Sequence, residues 1–298
     1  MKALVTGGAG FIGSHLVDAL LARGDDVAMV DDLSTGRRER VPDGVPLHEI
    51  DIAGIAGAME AERPEVVFHL AAQVDVRKSV ADPARDARIN VAGTAAVLEA
   101  ARVAGARRVL LASTGGALYG DGVPLPTPET APLAPFSPYG ASKAAAESYL
   151  GLYMRLYGLS TLALRFGNVY GPRQDPHGEA GVIAIFAGAA AGGRPVTVFG
   201  DGTQTRDYVY VGDVVAGFLA AGDSEATGAV NIGTGVETTV LRLVEALGVT
   251  AEYRPARAGE VARSCLDVER AAEVLDWRAQ VPLADGLQRT LAAVRESV

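Results

Sequence analysis

The chain has little cysteine and no long apolar run among its 298 residues. Its single cysteine, Cys265, excludes an internal disulfide bond, and we expect the thiol to be a small buried group rather than a reactive one. No stretch is long or apolar enough to span a bilayer. The first predicted strand follows Met1-Lys2 directly and is interrupted by Thr6 and glycines, so we expect no signal peptide and a cytoplasmic location.

Basic residues are in the minority, with 27 lysines and arginines against 36 aspartates and glutamates and a net charge of −9. This balance argues against a nucleic-acid or anionic-membrane partner, and neither is expected. No metal site is predicted. The composition, 49% hydrophobic and 21% charged, is that of a globular chain able to bury a large core in one large or two smaller domains.

Glycines form a dinucleotide-binding pattern near the N-terminus. Gly8, Gly10 and Gly13 fit G-x-G-x-x-G, and Gly7, Gly10 and Gly13 fit the looser T-G-x-x-G-x-x-G spacing. The pattern joins a predicted strand to a predicted helix that begins at Phe11, so the backbone can approach a pyrophosphate and the helix N–H groups can face it. A glycine triplet alone also occurs in structural turns, and its context therefore has to support the interpretation.

That context is a carboxylate after the second predicted strand. Asp31 lies 18 residues after Gly13 and is followed by Asp32, where the ribose hydroxyls of a dinucleotide are expected. Asp31 favours NAD over NADP because a carboxylate repels a 2′-phosphate. Arg37 and Arg38 follow closely and leave NADP open as the alternative.

Alternating strands and helices in the first half predict an α/β fold with a Rossmann-type, doubly wound parallel sheet. The predicted strands are Lys2–Thr6, Asp26–Val30, Leu47–Asp51, Val66–Ala71, Arg108–Ser113 and Thr161–Phe166. Helices are predicted over 11–22, over 83–104 with an apolar stripe ending before Gly105, and from the N-cap Ser137 onward.

After Asn168 the alternation gives way to a long loop at 171–178, a helix at 182–191 and a strand at 196–199. Such a segment usually covers the carboxyl ends of the strands and adds a substrate-binding region. We therefore predict an NAD-binding Rossmann domain over 1–167 with return segments at about 207–233. The remaining parts, 168–206 and 234–298, would form a smaller C-terminal α/β substrate-binding region.

A candidate reacting group is the pair Tyr139 and Lys143, which lie four residues apart and share one face of a helix. A phenol, with a pKa of about 10, becomes a useful base when a neighbouring ammonium and a positively charged nicotinamide favour the phenolate. The same pair alone is an ordinary surface pair. Ser113 and Thr114 at the carboxyl end of a predicted strand favour catalysis, since either hydroxyl can bind a sugar while the other satisfies the turning backbone.

Seven motifs in order resemble those of the extended short-chain dehydrogenases/reductases, and the resemblance covers essentially the entire chain. The sequence is most similar to the UDP-glucose (UDP-galactose) 4-epimerases and related NAD-dependent nucleotide-sugar epimerases. The motifs are Thr6-Gly7-Gly8-Ala9-Gly10-Phe11-Ile12-Gly13, Asp31-Asp32-Leu33, Asp51-Ile52, His69-Leu70-Ala71-Ala72, Tyr139-x-x-x-Lys143, Asn168-Val169-Tyr170-Gly171-Pro172 and Gly202-Thr203-Gln204-Thr205-Arg206-Asp207-Tyr208.

The resemblance implies which residues contact NAD. Asp51 and Ile52 would flank the adenine, the segment from Leu70 would pass beside the cofactor, and Lys143 would hold the nicotinamide ribose. Asn90 would be a buried polar support, structural or functional. The implied cofactor contacts are Gly7, Gly10, Phe11, Ile12, Gly13, Asp31, Asp32, Asp51, Ile52, Leu70, Ala71, Ala72, Asn90, Tyr139 and Lys143.

The resemblance also implies the substrate contacts. Asn168 and Arg206 would bind the nucleotide diphosphate of a UDP-sugar, although Arg206 could instead be a surface partner of Asp207. The epimerases carry their catalytic serine or threonine where this chain has Gly115, so we expect Thr114 or Ser113 to supply the hydroxyl.

By the same resemblance, Tyr139 takes the proton of the 4-hydroxyl while a hydride passes to NAD, and a 4-keto sugar turns over before the hydride returns to its other face. A 4,6-dehydratase is the nearest alternative, but that family carries Asp-Glu where this chain has Gly115-Gly116. A 4-ketoreductase would consume added cofactor stoichiometrically. A dinucleotide-binding regulator without activity is the non-enzyme alternative.

Substrate breadth and assembly are further expectations from the resemblance. Within the stretch 257–265, Ser264 falls where the epimerases have a bulky tyrosine, which leaves room for N-acetylated sugars unless Ser264 is only a strand residue. We expect a homodimer formed through the helices over 83–104 and 138–157. Their apolar faces could equally belong to the core of one chain.

Overall fold

The computed structural model describes residues 1–176, 181–256 and 261–296. Its strands are β1 (Lys2–Thr6), β2 (Asp26–Val30), β3 (Leu47–His48), β4 (Val66–His69), β5 (Arg108–Thr114), β6 (Ser160–Phe166), β7 (Asn168–Tyr170), β8 (Val196–Phe199), β9 (Thr205–Arg206), β10 (Tyr208–Tyr210), β11 (Gly228–Ile232), β12 (Thr238–Thr239) and β13 (Ala251–Arg254). Its helices are α1 (Phe11–Arg23), α2 (Ala56–Glu62), α3 (Val76–Ala81), α4 (Pro83–Ala87), α5 (Gly93–Ala104), α6 (Pro138–Tyr157), α7 (Val182–Ala191), α8 (Val211–Asp223), α9 (Val240–Leu247), α10 (Glu269–Leu275) and α11 (Leu283–Glu296).

Seven of these strands form a parallel sheet in the order β11-β6-β5-β4-β1-β2-β3, which confirms the predicted Rossmann-type fold. The strand order reverses at β1, between β2 and β4. Thr6 pairs with Val30 on one side and His69 on the other, so the three strands end level. Ligands of such sheets bind at this reversal, outside the carboxyl ends of the strands.

Helices cover both faces of the sheet because successive strand residues point to opposite sides. In β1, Val5 packs into a core shared with α1 and α8, whereas Leu4 packs into a second core shared with α2, α5 and α6. The sheet strands are buried on both sides and read as continuous apolar runs, as parallel strands do. The doubly wound arrangement was therefore recognisable from the sequence.

Several predicted elements differ in their bounds from the structure. The strand predicted over Val66–Ala71 ends at His69, since Leu70 N and Ala71 N bond to the Thr6 hydroxyl. Strand β3 ends at His48, short of the predicted Asp51, because the Asp51 carboxylate accepts a hydrogen bond from Ala53 N and begins a 3-10 turn. The helix predicted over 83–104 consists of α4, a π-helical turn over Arg88–Ala92, and α5. The wider turn carries Asn90, which is buried, and such turns are frequent at functional sites.

A third core lies outside the sheet and contains Ile183, Phe186, Val198, Leu243 and Leu287. It is built on short strand pairs, β8 with β13 and β7 with β10, and is joined by α7, α9 and α11. Part of the predicted loop over 171–178 lies outside the described residues. Within the described part of the chain, no helix is long and apolar enough to cross a membrane.

Candidate active site

The glycine loop between β1 and α1 leaves no room for side chains. Gly7 has a φ of +69°, and a Cβ there would lie 2.7 Å from Ala71 N, while a Cβ on Gly13 would collide with Gly7 O. Helix α1 begins at Phe11 with Gly10 as N-cap, and no side-chain hydrogen bond caps it. The loop therefore offers bare backbone and a positive helix end at the sheet edge, which suits an anionic diphosphate.

Asp31 and Asp32 have different surroundings despite being neighbours. The Asp31 carboxylate is buried and accepts hydrogen bonds from Ala9 N and Leu33 N, each at 2.9 Å. Burial raises its pKa, although these bonds and the Arg40 guanidinium act in the opposite direction. Asp32 is exposed, and its carboxylate accepts bonds from Ser34 N and Oγ. Asp31 thus ties the end of β2 to the glycine loop, at the position expected for a ribose.

The segments predicted to lie beside the cofactor, 51–52 and 70–72, also reach this edge of the sheet. Asp51 is exposed, whereas Ile52 is a core residue whose Cδ1 occupies the space that a Cβ on Gly93 would need. Leu70 N and Ala71 N donate to Thr6 Oγ1 at 3.2 and 3.1 Å, which holds the segment 70–72 against the end of β1. Ala72, like Leu70 and Ala71, is half-buried.

Helix α6 presents Tyr139 and Lys143 one turn apart. Ser137 caps the helix by accepting a hydrogen bond from Gly140 N, and Tyr139 N donates to Ser79 Oγ at 3.1 Å. Lys143 is only 4% exposed, and its Nζ donates to Ala112 O of β5 at 2.9 Å. Burial lowers the Lys143 pKa to about 8. A buried ammonium at the end of β5 can orient hydroxyl groups and favour a neighbouring phenolate.

The two candidate hydroxyls at the end of β5 have different partners. Ser113 is buried, and its Oγ donates to Glu147 Oε1 at 2.6 Å. Glu147 is in turn held by the buried Arg165, whose Nη2 lies 2.6 Å from Oε2. Thr114, the last residue of β5, is half-buried at the edge of the sheet. No sequence motif singles out Glu147, although it lies four residues after Lys143 on α6.

The next residue, Gly115, has a structural reason to lack a side chain. A Cβ on Gly115 would lie 2.5 Å from a methyl group of Leu266, which comes from the C-terminal part of the chain. Leu266 itself is fully buried and forms a bridge with Thr127. Leu266 therefore fills the space that a side chain at residue 115 would need.

The predicted substrate residues approach the same edge from the smaller core. Asn168 begins β7 and its Oδ1 lies 3.7 Å from the place of a Cβ on Gly116. Arg206 ends β9, and its Nη1 donates to Thr205 O at 2.7 Å. Ser264 N donates to Thr205 O at 3.2 Å, so Ser264 lies next to the Arg206 strand. Arg257 to Glu260, used to locate Ser264 in the sequence, lie outside the described residues.

Asn90 belongs to a buried polar network that the sequence did not reveal. Its Oδ1 accepts from Gln73 N at 2.8 Å, and its Nδ2 lies within bonding distance of Gln73 O, Asp86 Oδ1 and Ser142 Oγ. Its backbone oxygen accepts from Thr94 Oγ1. The network joins the π-helical turn to α6 one residue before Lys143, so Asn90 has a clear structural role.

His69 continues this network towards the glycine loop. Because Thr94 Oγ1 donates to Asn90 O, it accepts from His69 Nε2, and the Thr6 hydroxyl then donates to His69 Nδ1 at 2.8 Å. Burial, reinforced by the Lys143 charge, lowers the His69 pKa to about 3. The imidazole is therefore neutral, and its role is to link Thr94 and Thr6 by hydrogen bonds rather than to act as a general acid.

Cys265 is buried as expected, and burial together with the Asp207 and Glu237 charges raises its pKa to about 12. A thiol with this pKa is unreactive at neutral pH. In the described ranges, no group of three or more histidine, cysteine or acidic side chains could hold a metal ion. The chemistry available at this sheet edge is thus a dinucleotide cradle beside a tyrosine, an ammonium and a hydroxyl.

Comparisons with known proteins agree with this geometry. The model of the NAD dependent epimerase/dehydratase family matches residues 3–233. The UDP-glucose 4-epimerase of Mycolicibacterium smegmatis is 48% identical, with 99% of each chain covered. A putative UDP-glucose 4-epimerase of Methanocaldococcus jannaschii is 44% identical, with 97% of this chain and 96% of the relative covered.

Solved structures show the same similarity over the whole length. The Thermotoga maritima UDP-glucose 4-epimerase with UDP-glucose has a TM-score of 0.97 at 46% identity, covering 100% of this chain and 99% of that chain. The Thermus thermophilus UDP-glucose 4-epimerase in complex with NAD has a TM-score of 0.93 at 47% identity, covering 100% of both chains. The chain therefore belongs to the NAD dependent epimerase/dehydratase family, the extended short-chain dehydrogenases/reductases that its motifs resemble, and its cofactor is NAD.

Proposed function

We propose that this protein interconverts UDP-glucose and UDP-galactose by NAD-dependent 4-epimerisation through a transient 4-keto sugar. The observation that carries the proposal is the buried Lys143 ammonium at the end of β5, one helical turn from Tyr139 and on the same sheet edge as the glycine loop. Relatives named UDP-glucose 4-epimerase, 48% and 44% identical over nearly the full chain, support this substrate pair.

The residues present suit NAD. Gly7 and Gly13 leave the backbone of the loop open, and the uncapped start of α1 at Phe11 and Ile12 would bind the diphosphate. Asp31 would accept hydrogen bonds from the hydroxyls of the adenosine ribose, beside the exposed Asp32. Bound NAD supplies a hydride acceptor and, once reduced, a hydride donor.

Proton transfer falls to α6 in this proposal. Tyr139 as phenolate accepts the proton of the sugar 4-hydroxyl and returns it after the sugar has turned over. Lys143 favours the phenolate by its charge and binds the nicotinamide ribose hydroxyls. Thr114 is the hydroxyl that we assign to the sugar, because Ser113 Oγ is already bonded to the Glu147 carboxylate.

The substrate side is assigned to Asn168, Arg206 and Ser264. Arg206 and Asn168 would bind the nucleotide diphosphate, which anchors the substrate while its sugar rotates. Ser264 lies beside the Arg206 strand, and a side chain this small would leave space for an N-acetyl group. We therefore include UDP-N-acetylglucosamine among the substrates, and Ser264→Tyr is expected to lose this activity while UDP-glucose turnover persists.

The proposal extends to the domain organisation, location and assembly of the protein. We assign the sheet with α1–α6 and α8 to an NAD-binding domain and the third core to a substrate-binding region. The cores cross the predicted boundaries, because Ala271, Leu275 and Trp277 pack in the sheet core and Tyr208 packs in the third core. The enzyme would act as a cytoplasmic homodimer in galactose metabolism. Exposed apolar residues on α6, Leu156 and Tyr157 among them, support the dimer.

Proton NMR of UDP-glucose mixed with the purified protein and no added cofactor tests the function. Growth of the anomeric signal of UDP-galactose is expected, which shows both resident NAD and 4-epimerisation. Tyr139→Phe should fold normally and lose activity by orders of magnitude. Near wild-type turnover in that variant would overturn the role of Tyr139. If UDP-glucose gave no product even with added NAD, the assignment of UDP-glucose as substrate would be wrong.

A further inference from the structure

Asp86 is a buried carboxylate that the reaction described above does not use. It lies in α4, two residues before the π-helical turn begins at Arg88, and it is only 1% exposed. Aspartate is almost never buried to this degree without a partner of opposite charge, since the cost of removing its charge from water is large. The structure shows no cation within ion-pair distance of Asp86 among the described residues.

The hydrogen bonds of Asp86 all go to one oxygen. Gln73 Nε2 donates to Oδ1 at 2.7 Å and Asn90 Nδ2 donates to the same atom at 3.2 Å. In the part of the chain that the structure describes, the buried Oδ2 has no hydrogen-bond partner. The carboxylate is thus held in place by the neutral amides of Gln73 and Asn90.

Lys143 is a buried cation on α6, the helix that packs against α4, which carries Asp86. Its Nζ donates to Ala112 O, and Asp86 and Glu147 are the two acidic groups that favour its charged form. Glu147 is already neutralised by Arg165, which contacts both of its carboxylate oxygens. Asp86 is therefore the carboxylate near Lys143 whose charge has no other partner.

We propose, resting on the function assigned above, that Asp86 is a positioning residue whose buried negative charge keeps Lys143 an ammonium ion beside Tyr139. Hydrogen bonds also connect the two residues, because Asn90 Nδ2 donates to both Asp86 Oδ1 and Ser142 Oγ, and Ser142 directly precedes Lys143. The titratable groups that interact with the Lys143 charge are Glu147 on α6, His69 on β4 and Asp86 on α4. Arg165 on β6 is bonded to Glu147, and Tyr139 lies one turn before Lys143 on α6.

The test is Asp86→Asn, with Asp82→Asn as its control. Asparagine keeps Oδ1 as an acceptor for Gln73 and Asn90 and replaces only the oxygen that lacks a partner. Asp82 lies one turn earlier, is exposed, and caps α4 through Arg85 N, a role that asparagine also fills. Asp86→Thr, which also removes the charge and retains an acceptor, serves the same comparison if the asparagine variant does not fold.

The direct readout is the titration of Lys143 itself. The chain has three lysines, Lys2, Lys78 and Lys143, so protein labelled with 13C at lysine Cε gives few signals, and Lys143→Ala identifies the third. Removing the nearby negative charge is expected to lower the Lys143 titration midpoint by about one pH unit in Asp86→Asn. Asp82→Asn is expected to leave the midpoint where it is in the wild type.

Activity provides a second readout. Loss of a negative charge moves the pH–rate profile to lower pH, so the ratio of Asp86→Asn to wild-type kcat/KM should fall roughly fivefold from pH 7 to pH 9. A merely structural role for Asp86 would lower activity by the same factor at every pH. An unchanged Lys143 midpoint would overturn the proposal for Asp86 while leaving the epimerase function intact. An inactive wild type with a shifted midpoint would instead overturn the function alone.

Discussion

Burial determines what each ionisable residue of the site can do. Lys143, His69 and Cys265 are all buried, and in each case loss of contact with water disfavours the charged form. The outcome differs because the ordinary pKa values differ. His69 stays neutral and Cys265 stays protonated at neutral pH, whereas Lys143, with a pKa of about 8, still carries its charge there.

Lys143→Met is expected to stabilise the fold while abolishing activity. The buried ammonium has its pKa lowered from 10.5 to about 8, so it destabilises the folded state, and after allowing for the lost bond to Ala112 O we expect a gain of about 2 kcal/mol at pH 7. The unfolded chain binds the proton more tightly, so the gain is complete below pH 8 and disappears as pH rises towards 10.5. Urea unfolding at pH 7 and pH 10 checks this, and a variant less stable than the wild type at pH 7 would contradict it.

Thr114→Val and Ser113→Ala separate the two hydroxyls. Because Ser113 Oγ binds Glu147, Ser113→Ala should cost about 1 kcal/mol in thermal or urea unfolding and less than tenfold in kcat. Thr114→Val keeps the shape and should lower kcat about a hundredfold with little loss of stability. Steady-state kinetics beside melting curves distinguish the two effects. Wild-type activity in both variants would show that neither hydroxyl takes part in the reaction.

Short elements connect the smaller core to the sheet edge, and Glu237 links several of them. Its Oε1 accepts from Thr205 Oγ1 at 2.5 Å and from Arg263 Nε at 2.9 Å. Thr205 precedes Arg206, and Arg263 precedes Ser264, so one carboxylate holds the two segments that carry these predicted substrate-binding residues. The bonds from Arg263 and Thr205 lower the Glu237 pKa to about 2, which keeps the link intact at neutral pH.

Glu237→Gln is expected to raise the KM for UDP-glucose about fivefold and to leave kcat within a factor of two, because it loosens nucleotide binding without touching the reacting atoms. Glu245→Gln is the matched control, since Glu245 forms an exposed ion pair with Arg242 on α9 away from these strands. The measurement is steady-state kinetics at pH 7. A fall in kcat at unchanged KM would contradict the assignment.

At the scale of the whole molecule, the helices α5 and α6 leave apolar side chains in solvent. Val103 on α5 and Tyr149, Leu152, Leu156 and Tyr157 on α6 are exposed, with Leu156 61% accessible. The spacing of Tyr149, Leu152 and Leu156 places them on one side of α6. A surface groove of about 670 Å³ borders α5 and contains Val103. We expect these exposed apolar side chains to form the contact of the proposed dimer.

Leu156→Asp is expected to convert the proposed dimer into a monomer, because a carboxylate would be buried unpaired in the contact. Val236→Asp is the control, since Val236 is exposed to a similar degree, 59%, but lies outside these helices. Sedimentation velocity of wild type and both variants provides the measurement. A wild-type monomer, or a Leu156→Asp dimer, would exclude this face as the contact.

Much of the fold follows from the sequence by itself, because it rests on local patterns. The strand–glycine–helix unit at residues 2–23 and the spacing of Tyr139 and Lys143 are set within a few residues, and the parallel sheet follows from alternating apolar segments. These features are confirmed in the elements of the structure. The roles of the site residues remain predictions, as does the division into domains.

The tertiary structure alone decided what distant segments do to one another. Leu266 occupies the space beside Gly115, the Ser113 hydroxyl is bonded to Glu147, and α4, which carries Asp86, packs against α6, which carries Lys143. In each case the partners lie more than thirty residues apart in the chain. A local pattern fixes which atoms a segment can present, but burial, hydrogen-bond partners and electrostatic fields depend on which segments pack together, so they emerge only when the chain folds.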